Sequence, residues 1–412
     1  MSTTGAGNPE FFDAAERAST ARTLAAAFTR TYGEEPAGVW SAPGRVNLIG
    51  EHVDYTGGLC LPLALPHRTF VALRARTDGV VRVRSAQESG SDFEGDLADV
   101  GPGAPTGWAA YVLGVPWALQ QKGLAGDVST GGFDALVDGH VPFGSGLSSS
   151  AALECAVAVA LAELAGAPLD DTGRAALAGA CMLAENVVAG ANTGGMDQAA
   201  SLRCHEGGAI LLDTRDDTVA QIALDLAGSG LALLVTDTRA EHSHAGGEYG
   251  ERRADVERAA HLLGVPTLRE VDPGDLDTAL ARLGSEADGA VLTRRIRHAV
   301  TEIDRVARTA QLLRAGRVRE IAPLLDASHE SLRYDYEVSC RELDLTVDTA
   351  RAHGALAARM TGGGFGGSAI ALVEAGEVDT VAGAVAAAFS AADLRAPRFL
   401  VALASEGAGR DL

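Results

Sequence analysis

Phe12, Ala15, Leu24 and Phe28 recur at helical spacing, so the apolar pattern predicts a helix over residues 11–32. The run 39–48 then predicts a strand passing into a loop. Two strand patterns follow at 70–76 and 80–85, and Asp78-Gly79 between them predicts a hairpin turn. Residues 86–107, rich in Gly, Asp, Pro and Ser, read as loop. A helix is predicted over 108–121 and a half-buried strand over 133–141. That strand ends in Pro142-Phe143-Gly144-Ser145-Gly146, and a long apolar helix begins near Ser148. A helix over 171–189 and a strand over 231–236 come next. Residues 248–353 are mostly helical by pattern, with breaks near Gly264-Val265-Pro266 and Asp272-Pro273-Gly274. A strand end, turn and helix at 373–392 and a strand at 398–403 close the pattern. Hairpins mixed with helices, and no internal repeat, predict an α+β fold. A chain of 412 residues is long enough for more than one domain. The division is expected near 205–230, giving 1–210 and 211–412.

The formal net charge of −21 repels phosphate backbones and anionic lipid, so nucleic acid and membrane surfaces are unexpected partners. The charge favours solubility and a monomer. The most apolar stretch, 151–169, carries Glu154 and Glu163 and reads as a buried helix, not a membrane span. The first thirty residues include Glu10, Asp13 and Glu16 without an apolar core, so no signal peptide is expected. Five cysteines, with no C-x-x-C pair, read as reduced thiols of a cytoplasmic protein. The chain holds one lysine, Lys122, in Gln-Gln-Lys-Gly, which excludes a Walker-type phosphate loop. His242-Ser243-His244 lacks a third ligand at zinc spacing and reads as loop histidines.

Candidate chemistry concentrates in three glycine-rich islands. The first, Pro43-Gly44-Arg45-Val46-Asn47-Leu48-Ile49-Gly50-Glu51-His52-Val53-Asp54-Tyr55, packs Arg45, Asn47, Glu51, His52 and Asp54 beside a strand end. Such a set suits hydroxyl recognition, because carboxylates accept and Arg and His donate; a solvated loop with local ion pairs fits as well. The second is Gly144-Ser145-Gly146-Leu147-Ser148-Ser149-Ser150 at a strand-to-helix junction. Glycines and a free helix N-terminus can cradle an anion without lysine, and the serines can cap the helix, touch phosphate or ligate Mg²⁺. In the third island five of the six positions 362–367 are glycine, more than a plain turn requires. Elsewhere, Gly194-Gly195-Met196-Asp197 sets a carboxylate on a glycine-bordered turn, and Glu185 lies near the end of an apolar helix. A carboxylate beside an arginine keeps its charge and can take a hydroxyl proton; Asp197 as a helix cap is the plainer alternative.

Together the islands resemble the GHMP superfamily of small-molecule kinases. Gly44-Arg45-Val46-Asn47-Leu48-Ile49-Gly50-Glu51-His52-x-Asp54-Tyr55 resembles the galactokinase signature within it. The resemblance implies the two-domain GHMP fold with its active site in the cleft, and ATP-dependent phosphorylation of the anomeric hydroxyl of α-D-galactose. By that resemblance Asp197 is the catalytic base and Arg45 its partner. Glu51, His52, Asp54, Gly194, Asp197 and Tyr249 contact the sugar. Gly144, Ser145, Gly146, Leu147, Ser148, Ser149 and Ser150 hold the nucleotide, with Ser85 and Trp108 nearby and Trp108 against adenine. Ser150 and Glu185 take Mg²⁺. Val53 departs from the family's usual Thr, and a lost hydroxyl there would alter a hydrogen bond behind the sugar. Ser368 stands where Cys is common, a change expected to be neutral. A kinase for another sugar and a non-catalytic sugar sensor are the rival readings.

Overall fold

Strand Gly38–Asn47 is buried along its whole length and runs antiparallel to Pro62–Ala75. In the computed structural model, residues 9–412 are described apart from 89, 91, 125, 127–130, 192 and 241–244. His242-Ser243-His244 and Asn192 therefore lie outside the described residues. The two strands centre a six-stranded sheet ordered Gly409–Arg410, Gly38–Asn47, Pro62–Ala75, Phe133–Gly139, Val80–Ser85 and Phe93–Asp96.

The hairpin expected at Asp78-Gly79 does not form. Phe133–Gly139 enters between the two strands, antiparallel to Pro62–Ala75 and parallel to Val80–Ser85. The physical reason is that this strand needs cover on both edges. Phe133, Ala135, Leu136 and Val137 are buried, and fully buried Asp134 is neutralised from both sides. Arg76 approaches it at 3.2 Å and Arg82 at 2.6 Å, as a buried carboxylate requires. The Asp78-Gly79 turn survives, with Gly79 at φ 79°, but it carries the chain around the intruding strand's end. Nor is 86–107 all loop, since Phe93–Asp96 extends the sheet's edge.

Helices Ala109–Gln121, Ser149–Leu164 and Asp171–Leu183 cover one face of this sheet. Helix Arg17–Tyr32 covers the other through Ala21, Leu24 and Phe28. It starts later than the periodicity predicts, because Glu16 caps the N–H groups of Ala18 and Ser19. The preceding Glu10–Phe11 pairs instead with Arg398–Ala402.

The second sheet has five strands, ordered Glu10–Phe11, Arg398–Ala402, Leu231–Asp237, Ser368–Glu374 and Ala357–Thr361. Helices Ala322–Ser331, Arg341–Ala352 and Val378–Ala391 pack on it, and Gly289–Arg314 joins the same apolar core. A small third sheet of Leu59–Cys60, Gly208–Asp213 and Thr218–Ala223 escapes the sequence pattern. Its strand Gly208–Asp213 runs across the 210/211 boundary. The chain ends also cross over: Glu10–Phe11 joins the sheet of the later half, and Gly409–Arg410 joins that of the earlier half.

Candidate active site

The three glycine islands touch one another around a cavity of about 640 Å³. Leu147 O accepts the backbone N–H of Arg45 at 3.0 Å, and Gly146 O accepts Arg45 Nη1 at 2.6 Å. Ser145 O accepts the hydroxyl of Ser368 at 2.7 Å. A β-carbon on Gly362 would lie 2.9 Å from Gly146 O, and one on Gly44 would lie 2.6 Å from Leu147 O. Glycine is thus required where the backbones of the islands meet.

Ser148 sits at φ 62°, ψ 48°, just before helix Ser149–Leu164, and its side chain does not cap that helix. Its hydroxyl instead donates to Oδ2 of Asp197. Oδ1 of the same carboxylate receives Arg45 Nε at 2.8 Å and Nη2 at 2.7 Å. Asp197 stands in the first turn of helix Met196–Arg203 but is turned to Arg45 and Ser148. The cap alternative therefore falls. Arg45 is buried, held beside the bulge in strand Gly38–Asn47, while Asp197 keeps about a fifth of its side chain exposed toward the cavity.

The remaining signature residues line the same wall. Asp54 packs on Gly194, where an added β-carbon would fall 1.9 Å from Asp54 Oδ2. Burial first, then the charge of Asp197, pushes the Asp54 carboxyl up to about 7. His52, at φ 59°, is buried among Tyr55, Tyr249 and Tyr336. Desolvation pulls it down to about 3, so the ring is neutral. Its Nε2 lies 3.0 Å from Gly363 O, which can only accept, so Nε2 carries the proton. Nδ1 then accepts from the Tyr55 hydroxyl at 2.9 Å, which in turn accepts from Tyr336 at 2.8 Å. Glu51 reaches the cavity with its carboxylate already held by Arg359, Thr361 and Gly362 N. Tyr249, on helix Ala245–Leu263, lines the cavity beside Gly363, where a β-carbon would lie 3.7 Å from its ring. Val53 points into the core against Gly58, with its carbonyl binding the N–H groups of Thr56 and Gly58. Val53 belongs to an apolar core cluster and does not line the cavity.

Gly144, Gly146, Ser148, Ser149 and Ser150 line the cavity beside Asp197, and Ser85 and Trp108 belong to the same cavity. Ser145 and Leu147 do not offer their side chains to it. The Ser145 hydroxyl donates to Pro142 O at 2.7 Å, and Leu147 is buried in core. Glu185 stands behind the wall, on the π-helical turn Ala184–Ala189. It accepts Thr193 Oγ1 at 2.8 Å and Gln198 Nε2 at 2.7 Å. Burial, followed by the charge of Asp197, raises its carboxyl above the usual range. Among the described residues, no group of three or more His, Cys, Asp or Glu side chains is arranged to hold a metal. Sequence reasoning missed Thr69, Gln87, Tyr111 and the almost fully exposed Phe143, all of which line the cavity. Phe143 alone had a local signal, an aromatic in a glycine turn.

Residues 26–75 match the galactokinase galactose-binding signature, 110–205 the GHMP kinases N terminal domain and 309–391 the GHMP kinases C terminal domain. A galactokinase of Streptomyces coelicolor is 52% identical over 390 residues, covering 95% of this chain and 98% of the relative. The chain belongs to the galactokinase family. A second galactokinase, from Streptomyces lividans, is 48% identical, covering 92% of this chain and 93% of its own. The crystal structure of Lactococcus lactis galactokinase complexed with galactose superposes with a TM-score of 0.87 at 32% identity, covering 94% of this chain and 99% of that one. The fold is the α+β GHMP kinase fold. Arg45, Glu51, His52 and Asp54 fall within the galactokinase signature match, and the 144–150 loop, Glu185, Gly194 and Asp197 within the N-terminal GHMP match. No described helix is long and apolar enough to cross a membrane.

Proposed function

We propose that the chain transfers the γ-phosphoryl group of ATP to the anomeric hydroxyl of α-D-galactose, giving α-D-galactose 1-phosphate and ADP. The observation that carries this reading is the Arg45–Asp197–Ser148 junction, where the signature wall and the glycine–serine loop meet over one cavity. Galactose lies against Glu51, His52, Asp54, Gly194 and Tyr249. The triphosphate lies along 144–150, where backbone N–H groups and the helix N-terminus offset its charge. Ser85 and Trp108 flank the nucleotide, with Trp108 against adenine.

Asp197 accepts the proton of the anomeric hydroxyl. The freed oxygen bonds to the γ-phosphorus while the bond to the β,γ-bridging oxygen breaks, and ADP leaves with that electron pair. In phosphoryl transfer the protein chiefly positions the reactants and neutralises charge. Arg45 holds Asp197 as acceptor and brings a cation to the transfer line. Mg²⁺ supplies further neutralisation of the phosphates when bound. The Ser150 hydroxyl on the cavity wall and the Glu185 carboxylate behind it would form an oxygen-only pair, which suits an ion that keeps most of its ligands from water and phosphate.

We take the protein to be a cytoplasmic monomer. Two lobes divide near residue 210, each borrowing a short strand from the far end of the chain. The deciding experiment is an ADP-release assay with MgATP and a panel of sugars, with Asp197→Asn as control. Turnover with galactose, and none in the variant, supports the reading. Galactose binding without turnover on any sugar favours a sensor, and faster turnover of N-acetylgalactosamine or arabinose favours a kinase of different specificity.

A further inference from the structure

The Glu51 carboxylate is held entirely from the later half of the chain. Its Oε1 accepts from Thr361 Oγ1 at 3.2 Å and from Gly362 N at 3.1 Å, and its Oε2 accepts from Arg359 Nη2. Arg359 lies on strand Ala357–Thr361, immediately before the third glycine island, and is fully buried. Its other arm, Nη1, donates to Leu48 O at 3.0 Å. Both arms therefore end on the 48–51 segment of the signature loop.

Arg359 is itself set in a buried chain of alternating charge. Glu302, on helix Gly289–Arg314, approaches Arg359 Nη2 at 3.9 Å and accepts Arg305 Nε at 2.7 Å. Glu302 Oε1 also accepts the N–H of Gly50 at 3.0 Å. From the same helix His298 Nε2 meets Glu51 O at 3.1 Å. Arg359, Glu302 and His298 thus each grip the loop, and none of them lines the cavity, whereas Glu51 does. Buried ion pairs add little net stability, yet losing one partner is costly and leaves the other free to reorient. A planar fork with two fixed donors suits orientation better than a point charge.

We propose that Arg359 is a positioning residue for sugar recognition: it holds the Glu51 carboxylate and the 48–51 backbone in the geometry that presents Glu51 to the cavity. This rests on the reading of Glu51 as a sugar contact. The arginine touches neither substrate. Its loss acts on the galactose half of the site and spares the nucleotide half, which is built on 144–150.

The test is calorimetric titration of galactose and, separately, of MgATP into the full chain carrying Arg359→Lys, with Glu51→Gln alongside. Lysine keeps the charge and loses the fork. Galactose binding is expected to weaken about tenfold or more, ~1.4 kcal/mol, with MgATP affinity held within about twofold. Adding Arg359→Lys to Glu51→Gln should weaken galactose no further, the non-additivity of coupled neighbours. A folded Arg359→Lys protein whose galactose affinity is unchanged overturns the proposal, as does equal weakening of both ligands, which signals general loosening. Unchanged galactose binding in Glu51→Gln refutes the sugar contact itself, and the proposal falls with it. Weakening in Glu51→Gln alone refutes only the role of Arg359. If Arg359→Lys does not fold, Thr361→Val decides instead. Selective loss of galactose affinity there supports the clamp, and unchanged affinity overturns it.

Discussion

Arg45 places two donors, Nε at 2.8 Å and Nη2 at 2.7 Å, on a single oxygen of Asp197, 152 residues away in sequence. Among the described residues, the other Asp197 oxygen receives only the Ser148 hydroxyl. One face of the carboxylate is therefore anchored, and the other is open to an incoming hydroxyl. Arg45→Ala is expected to lower kcat by about a hundredfold or more while changing MgATP affinity far less, the signature of an interaction made in the transition state. Steady-state kinetics with a nucleotide-binding titration check this. A dominant loss of MgATP affinity with kcat retained would make Arg45 a ground-state contact.

Gly194 has no room for a side chain. A β-carbon there would stand 1.9 Å from Asp54 Oδ2, closer than any real contact. Gly194→Ala must displace Asp54 from the wall, so the galactose KM should rise about tenfold or more, with the ATP KM little changed. Initial-rate kinetics with each substrate varied separately measure the split. An unaltered galactose KM would show that Asp54 is not needed where it stands.

Asp54 also sets a pH dependence. Its carboxyl sits at about 7 in the folded protein, raised first by burial and then by Asp197. An unfolded aspartate titrates near ~3.9. Between these values the native state binds more protons than the unfolded one, so this group lowers stability as pH rises from about 4 to about 7, with no further loss above. Asp54→Asn should therefore raise the melting temperature relative to the parent more at pH 8 than at pH 5. In catalysis the ionised form accepts sugar hydroxyls, so kcat/KM for galactose should fall as pH drops below about 7 in the free enzyme. A parent profile flat between about pH 6 and pH 8 would refute that assignment.

Ser150 lines the cavity in the first turn of helix Ser149–Leu164, and its hydroxyl acts to hold the Glu185 carboxyl down against the rise that burial causes. Ser150→Ala should raise the Mg²⁺ concentration needed for half-maximal rate and weaken binding of the Mn²⁺–nucleotide complex measured directly. Ser149→Ala should do neither. The reverse pattern would move the hydroxyl ligand one residue along the loop.

Much of the site is local and could be read from the sequence. The three islands announce themselves by their density of glycine, and at Gly44, Gly50 and Gly362 a β-carbon would fall within 3 Å of a neighbouring backbone oxygen. Strand Val80–Ser85 matches its alternation residue for residue. Partners far along the chain were a different matter. The pattern at 70–85 predicts a hairpin because turn chemistry is short-range, but it holds no information about a third strand arriving from 133–139. Asp134, with arginines on both sides, shows why that strand belongs there.

The residue types, their order and the family signature were settled by the sequence alone, because glycine, carboxylate and serine spacing within one loop is a local property. Tertiary structure decided which oxygen meets which donor. It turned Ser148 from helix cap to Asp197 partner and sent Ser145 and Leu147 inward. It also brought Arg359 and Glu302 beneath the signature loop from about 300 and about 250 residues away. Such contacts arise only when two sheets and their helices close over a common core, and they depend on distances that no spacing along the chain encodes.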